Sequence, residues 1–246
     1  MTEKVYSIFV FVLLLFGCAD PSISPENRAK DLVNASISAH GGQSTYDKLK
    51  DLSYIKTTYT YDSLEQVSDT LVQHIHHNRL GHIRLTYQND RGLNEIEEKD
   101  EQLSVRLNGF VQYDTTLIKN AKSTADGARF VFFQPFKLKD SLVRLKALGR
   151  RTLSHKENQL SEELEVVEAT YPNSSDIWYF FFDPETDRLL ANAVNHNGKM
   201  SLITNDSLQW YKGMLVHRFR TSYLSNEQFE PIRVQARYDY EMRAQD

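Results

Sequence analysis

The chain of 246 residues holds one cysteine, six prolines and two tryptophans, and it carries no surplus of basic charge. A lone cysteine cannot close an intrachain disulfide, so a small disulfide-stapled scaffold is excluded. Ten glycines and six prolines are too few for a collagen-like or low-complexity chain. With 29 Lys and Arg against 33 Asp and Glu the formal net charge is -4, which argues against a protein built to coat nucleic acid. Local chemistry is missing too. There is no Gly-x-Ser-x-Gly elbow, phosphate loop, dinucleotide fingerprint, His-Glu-x-x-His helix or paired-cysteine metal motif. No catalytic residue, metal ligand or cofactor is therefore assigned, and an enzymatic role is disfavoured, although one assembled from scattered residues stays open.

Apolar runs of membrane-spanning length are also missing. The longest, Val5 to Phe16, is uncharged and covers roughly 18 Å as a helix, against a hydrocarbon core of roughly 30 Å. It reads as a signal-peptide core, not a span. The following Leu15-Phe16-Gly17-Cys18 resembles a bacterial lipobox, which implies that residues 1–17 are removed and that Cys18 is lipidated, with palmitate among its acyl chains. A plain secretory signal with an incidental Cys18 is the alternative. Compartment chemistry favours the lipid, because a thiol consumed as a thioether escapes oxidation. Two or three acyl chains, at roughly 0.8 kcal/mol per buried CH₂, would hold the chain on a bilayer. Residues 18–25, polar and broken by Pro21 and Pro25, read as a tether, leaving residues 26–246 as one domain.

What is present is a globular, strand-rich body. Ser24 as N-cap, Pro25 at the first helical position and Ala29, Leu32, Val33 and Ile37 on one face predict an amphipathic helix stopped by Gly41-Gly42. A short helical piece is expected over residues 44–50. From Leu52 the texture becomes that of strands. Segments at 54–61, 70–77 and 82–87 are followed by a hairpin about Asn108-Gly109 and by 142–153, 164–171 and 177–183. Then come 188–196, 201–211, 214–224 and a last strand in which Ile232, Val234, Ala236, Tyr238 and Tyr240 alternate with polar residues. The apolar stretch 121–136 is expected as an inserted helix or compact loop. With few crossover helices the sheet should be antiparallel.

His40-Gly41-Gly42, Tyr46-Asp47-Lys48-Leu49, Gln134-Pro135-Phe136-Lys137-Leu138 and Trp178 to Phe182 before Asp183-Pro184-Glu185-Thr186 carry a resemblance. The sequence resembles a family of uncharacterised bacterial lipoproteins, and its element order is similar to the lipoprotein-carrier fold. That resemblance implies an α+β architecture: a large, curved antiparallel sheet of about 10 to 12 strands, an unclosed barrel wrapped on an N-terminal helix and an inserted helix or loop. It also implies an apolar cavity for a lipid or other hydrophobic ligand and no catalytic residues.

Thirteen Phe and thirteen Tyr make the aromatics the leading site candidates. Trp178, Phe180 and Phe182 face one way and Tyr179 and Phe181 the other, so both sheet faces need cover. Phe130, Phe133, Phe136, Trp178, Phe180 and Phe182 are the candidate cavity lining, against the plainer reading of a filled core. His74, His76, His77 and His82 suggest a zinc site only weakly, since no partner with recognised spacing accompanies them; a solvated strand face is favoured. His40 is expected as a helix cap favoured by the helix dipole. The acidic groups Glu95, Glu97, Glu98, Asp100 and Glu101, and Glu162, Glu163 and Glu165, are expected at loops or strand edges.

The sequence thus predicts a lipid-anchored bacterial envelope protein, at the outer membrane or periplasmic face. Its expected partners are the membrane, through the anchor, and a hydrophobic small molecule or lipid, with no nucleic acid. The alternatives are a structural or interaction lipoprotein docking in an envelope assembly and, further down, a metal-dependent enzyme.

Overall fold

The computed structural model describes residues 23–78, 81–154, 161–172 and 174–243. Cys18 and the segment before it lie outside these residues. Three helices, α1 (Pro25–Ala39), α2 (Gln43–Lys48) and α3 (Thr115–Phe132), accompany thirteen strands. These are β1 (Asp51–Tyr61), β2 (Val67–Asn78), β3 (Ile83–Asn89), β4 (Gly92–Lys99), β5 (Gln102–Leu107), β6 (Phe110–Val111) and β7 (Arg144–Ser154). The rest are β8 (Ser161–Thr170), β9 (Ile177–Phe182), β10 (Leu189–His196), β11 (Lys199–Tyr211), β12 (Met214–Ser225) and β13 (Pro231–Arg243). All thirteen form one antiparallel sheet in the order β6-β5-β4-β3-β2-β1-β13-β12-β11-β10-β9-β8-β7. The sheet has two free edges, β6 and β7, and is not closed. The α+β class and the unclosed antiparallel sheet are as expected. The extra strand is β4, a run whose glutamates mask its pattern.

The expected helix at the N-terminus is present with its caps. The Ser24 side chain accepts from the Asn27 amide at 3.2 Å, and Ala29, Leu32, Val33 and Ile37 are buried on one face. At the other end Gly42 donates to the Ile37 carbonyl at 2.9 Å and Gly41 to that of Ser38 at 3.1 Å. That pair of bonds requires a left-handed residue after the cap, and Gly41 supplies it at φ 106°. A Cβ on Gly41 would also fall 2.1 Å from the Gly213 carbonyl oxygen in the β11–β12 turn. The helix end is therefore seated directly on a hairpin backbone.

Helix α3 begins earlier than the apolar stretch at 121–136, because Asp114 caps it by accepting from the Leu117 amide at 2.8 Å. It reaches both flanks of the sheet. Arg129 bonds the Gly81 carbonyl at 2.8 Å and pairs with Glu98 on β4 at 2.9 Å. The next residue, Phe130, meets Trp178 on β9 with ring centroids 5.2 Å apart. In a flat sheet β4 and β9 would lie about 38 Å apart at 4.8 Å per strand step, so the sheet must curl around α3.

The main core fills that concavity, joining α1 and α3 to residues from β1 to β5 and from β8, β9, β12 and β13. A second cluster with Leu153, Leu164, Phe181, Ala191 and Leu202 lies on the other face, where Phe229 covers Phe181 and Tyr179. Adjacent residues Phe180 and Phe181 thus enter different cores, which is the two-sided cover that the segment demands.

The acidic runs sit differently from expectation. Glu95, Glu97 and Glu98 lie on β4 between β3 and β5, and Glu163 and Glu165 on β8 between β7 and β9. These are interior strands, not loops or edges. Their charge is matched by cations: Glu98 by Lys122 and Arg129, and Glu165 by Arg28 and Arg150. Asp100 and Glu101 do occupy a turn, both at positive φ.

Replacing Gly41 by Ala combines left-handed strain with a backbone collision, so Gly41→Ala should destabilise the protein by about 2 to 3 kcal/mol. Gly42 is also left-handed at φ 85°, but a Cβ there meets nothing, and Gly42→Ala should cost about 1 kcal/mol. Chemical denaturation of the two variants checks this; equal losses would refute the seating of Gly41 on the hairpin.

Candidate ligand pocket

The pocket arises from side-chain size on α3. Ser123, Thr124, Gly127, Ala128 and Val131 recur at helical spacing and line it from α3, the first three exposed at its mouth, and all are small or short. Gly127 leaves open space, since a Cβ there would meet nothing within 4 Å. Opposite them stand Tyr54 and Lys56 on β1, Gln73 and Ile75 on β2, and Leu85 on β3. Ile203, Arg220, Tyr238 and Tyr240 from β11 to β13 complete the wall. Strand register explains the grouping, because Tyr54 is opposite Ile75, Ile75 opposite Leu85, Lys56 opposite both Gln73 and Tyr240, and Arg220 opposite Tyr238. The result is a partly open pocket of about 260 Å³.

Its floor is rigid and aromatic. Tyr54 stacks on Phe132 at 4.4 Å and 15°, and Tyr240 lies 5.9 Å from Tyr54. Burial pushes the phenols of Tyr54 and Tyr240 up, so both stay protonated. Two cations enter this apolar surround. Arg220 is 1% exposed; its guanidinium donates to the Asn192 side-chain oxygen, while its Nε has no partner. Lys56 is half-buried, with its ammonium 4.9 Å from the centre of the Tyr238 ring. Burial lowers the pKa of Lys56, an effect that the Tyr238 phenol opposes and Arg220 reinforces.

The six aromatic candidates are gathered beside this pocket, not in its lining. Phe133 and Phe136 are buried against Tyr46 of α2, at 5.2 and 4.7 Å. Phe130 meets Tyr171, Trp178 and Phe180, and Trp178 stacks on Phe180 at 6.3 Å. Phe182 is 1% exposed in the same core. The aromatic segments therefore anchor α3 on the sheet, and the neighbouring Val131 and Phe132 reach the pocket.

The histidines divide. His74 is exposed and His76 half-exposed on one face of β2, with His76 3.0 Å from the Ser53 hydroxyl and His82 3.1 Å from Glu97. Among the described residues no group of three or more His, Cys, Asp or Glu is placed to hold a metal ion. His77 departs from the solvated reading: it follows Ile75 to the inner face and is fully buried against Phe132, Phe133 and Tyr54. His40 departs as well. Its backbone amide caps α1, but its buried ring ties two strands, Nδ1 donating to the Leu215 carbonyl at 2.8 Å and Nε2 accepting from the Leu189 amide at 3.2 Å. Burial lowers its pKa, so the imidazole is a neutral strut and the helix dipole acts on no charge there.

No family model matches the sequence, and no curated protein matches it. Among solved structures the chain is similar to a DUF1329 family protein from Desulfovibrio piger, at 7% identity and a TM-score of 0.46 over 89% of this chain and 92% of that one. It is similar to an outer membrane lipoprotein-sorting protein domain from Vibrio parahaemolyticus, at 10% identity and 0.43 over 88% and 91%. A third is the Mycobacterium tuberculosis lipoprotein LppX, at 12% identity and 0.29 over 69% and 90%.

Both His77 ring nitrogens are buried without hydrogen-bond partners, and burial pulls its pKa down to about 3. A histidine held neutral in the fold but free to protonate at 6.5 when unfolded favours unfolding as pH drops below 6.5. Its contribution is therefore complete above pH 6.5 and lost progressively toward pH 3. His77→Phe should raise stability by about 1 kcal/mol at pH 7 and flatten the acid limb of a stability-versus-pH curve. An unchanged acid limb in that variant would contradict the assignment.

Proposed function

We propose that the protein is a lipid-anchored envelope lipoprotein of a bacterium that holds a hydrophobic ligand between α3 and the concave face of its sheet. The supporting observation is the pocket itself: an aromatic and aliphatic wall facing a helix that, apart from Phe132 in the floor, presents small or short side chains where a core helix would present large ones. A packed interior tolerates few such voids, and an open apolar one is a binding surface. In this reading residues 1–17 form the signal, Cys18 becomes the acylated first residue with palmitate among its chains, and 18–25 tether the domain 26–246 to the membrane at the outer membrane or periplasmic face. The aromatic group Phe130, Phe133, Phe136, Trp178, Phe180 and Phe182 then stiffens the wall behind the ligand. The ligand is a lipid or another apolar molecule, and no cofactor is involved.

A docking role has one observation behind it. Phe110 and Tyr113 are 76% and 82% exposed beside the short edge strand β6, an apolar edge suited to pairing with another envelope protein.

Lipid extraction of the protein purified from membranes, followed by mass spectrometry, should return an apolar molecule stoichiometric with protein and separate from the covalent anchor. Recovery of anchor-derived lipid alone would overturn the ligand reading and favour docking. For the anchor, labelled palmitate should be incorporated into wild-type protein and absent from Cys18→Ser, which should shift from the membrane to the soluble fraction. Membrane retention of an unlabelled Cys18→Ser would refute lipidation there.

A further inference from the structure

We infer that the pocket takes an anionic single-chain amphiphile, with its oxyanion head against Arg220 and Lys56 and its tail leaving past α3. This rests on the hydrophobic-ligand reading above and adds the charge of the ligand.

The argument begins with a charge that lacks a counter-charge. Arg220 is 1% exposed, yet among the described residues no carboxylate pairs with it or with Lys56. The acids on the strands beside β12 are already engaged: Asp239 with Arg218, and Asp206 with Thr204 and Thr221. The protein offers the guanidinium only neutral partners, the Asn192 oxygen and the Tyr240 hydroxyl, and leaves Nε without one. Asn192 Nδ2, on the same buried pair, also lacks a partner. A buried, uncompensated cation is costly, and an arginine presents a fork of donors shaped for carboxylate or phosphate oxygens. Lys56 adds a second positive charge to the same pocket, and Gln73, 5% exposed, adds a neutral polar side chain to the lining.

Volume and lining decide the rest of the ligand. About 260 Å³ is below the 300 to 1,000 Å³ usual for drug-sized ligands, enough for a head and the first carbons of one chain but not for a diacyl lipid. The pocket is partly open, and the surface beside the head is aliphatic through Ile75, Leu85, Val131 and Ile203. A fully polar anion would leave that surface wet, whereas an amphiphile covers it. Carboxylate and phosphate share the chemistry that Arg220 recognises, so both heads belong in the test.

The experiment uses the full chain in detergent and three fluorescent single-chain probes: a fatty acid, its methyl ester and an alkyl phosphate of equal chain length. Wild-type protein should bind one or both anions more tightly than the ester by about 10- to 100-fold, the factor that a charge-assisted hydrogen bond supplies. The tighter of the two anions identifies the head. Arg220→Gln and, separately, Lys56→Gln should reduce that preference by weakening the anions more than the ester. The half-buried Lys56 variant keeps the test alive where the arginine variant fails to fold. Gly127→Leu grows into open space on α3, retains the fold by circular dichroism, and should abolish binding of all three probes. Equal affinity for ester and anions, or a preference that survives both charge variants, overturns the anionic head and leaves the hydrophobic pocket standing. Failure of every probe to bind wild-type protein, or indifference to Gly127→Leu, overturns the pocket and this inference together.

Discussion

Everything in the architecture depends on one helix reaching two distant strands. Because Arg129 is fixed to Glu98 and the Gly81 carbonyl while Phe130 is set against Trp178, α3 holds β4 and β9 at a separation that a flat sheet could not have. The polar half of this clamp is well supported. Burial raises the pKa of Glu98, but hydrogen bonds from Lys122 and Arg129 outweigh it and hold the carboxyl below its ordinary value, so it stays charged opposite its cations. The apolar half is the aromatic cluster, where ring contacts from Tyr46 to Phe180 leave α3 little freedom to slide. Curvature then follows from packing, and the concavity is a consequence of where the helix is pinned.

That concavity is filled unequally. Toward α2 the segment after the helix offers Phe133 and Phe136, and the interior is close-packed. Toward β1, β2 and β13 the helix sets Phe132 at its end as a floor but offers serine, threonine, glycine and alanine before it, and the space above stays open. Large and small residues on one amphipathic helix therefore divide structural from binding duty. The same division accounts for the histidines: His40 and His77 are consumed as neutral core elements by burial, whereas His74 and His76 remain at the surface.

Much of the fold was legible because it is written in short-range chemistry. Ser24 and Pro25, Gly41 and Gly42, Asn108-Gly109 and the alternation toward Tyr240 each specify a local geometry, and each is found, the alternation from Val234 onward because Ile232 at the strand start is exposed. The strand β4 was masked because its glutamates find partners on α3 and on β3, which only tertiary structure supplies. The site was less legible for a related reason. Strand β12 is buried along most of both faces, so His217 to Thr221 carries no alternation that would mark Arg220 as inward. Aromatic abundance drew attention to the wall and not to the space, since a pocket is announced by small residues on a facing element. Gly127, a glycine in the middle of α3, is the available signal.

The central claim, that α3 and the inner face of the sheet enclose a ligand, is tested most directly by nuclear Overhauser contacts between protein methyl groups and a bound acyl chain. With methyl-labelled full-length protein and a fatty acid, cross-peaks are predicted from Ile75, Leu85, Val131 and Ile203. Cross-peaks confined to the opposite-face cluster of Leu153, Leu164 and Leu202, or none to any methyl, would contradict it.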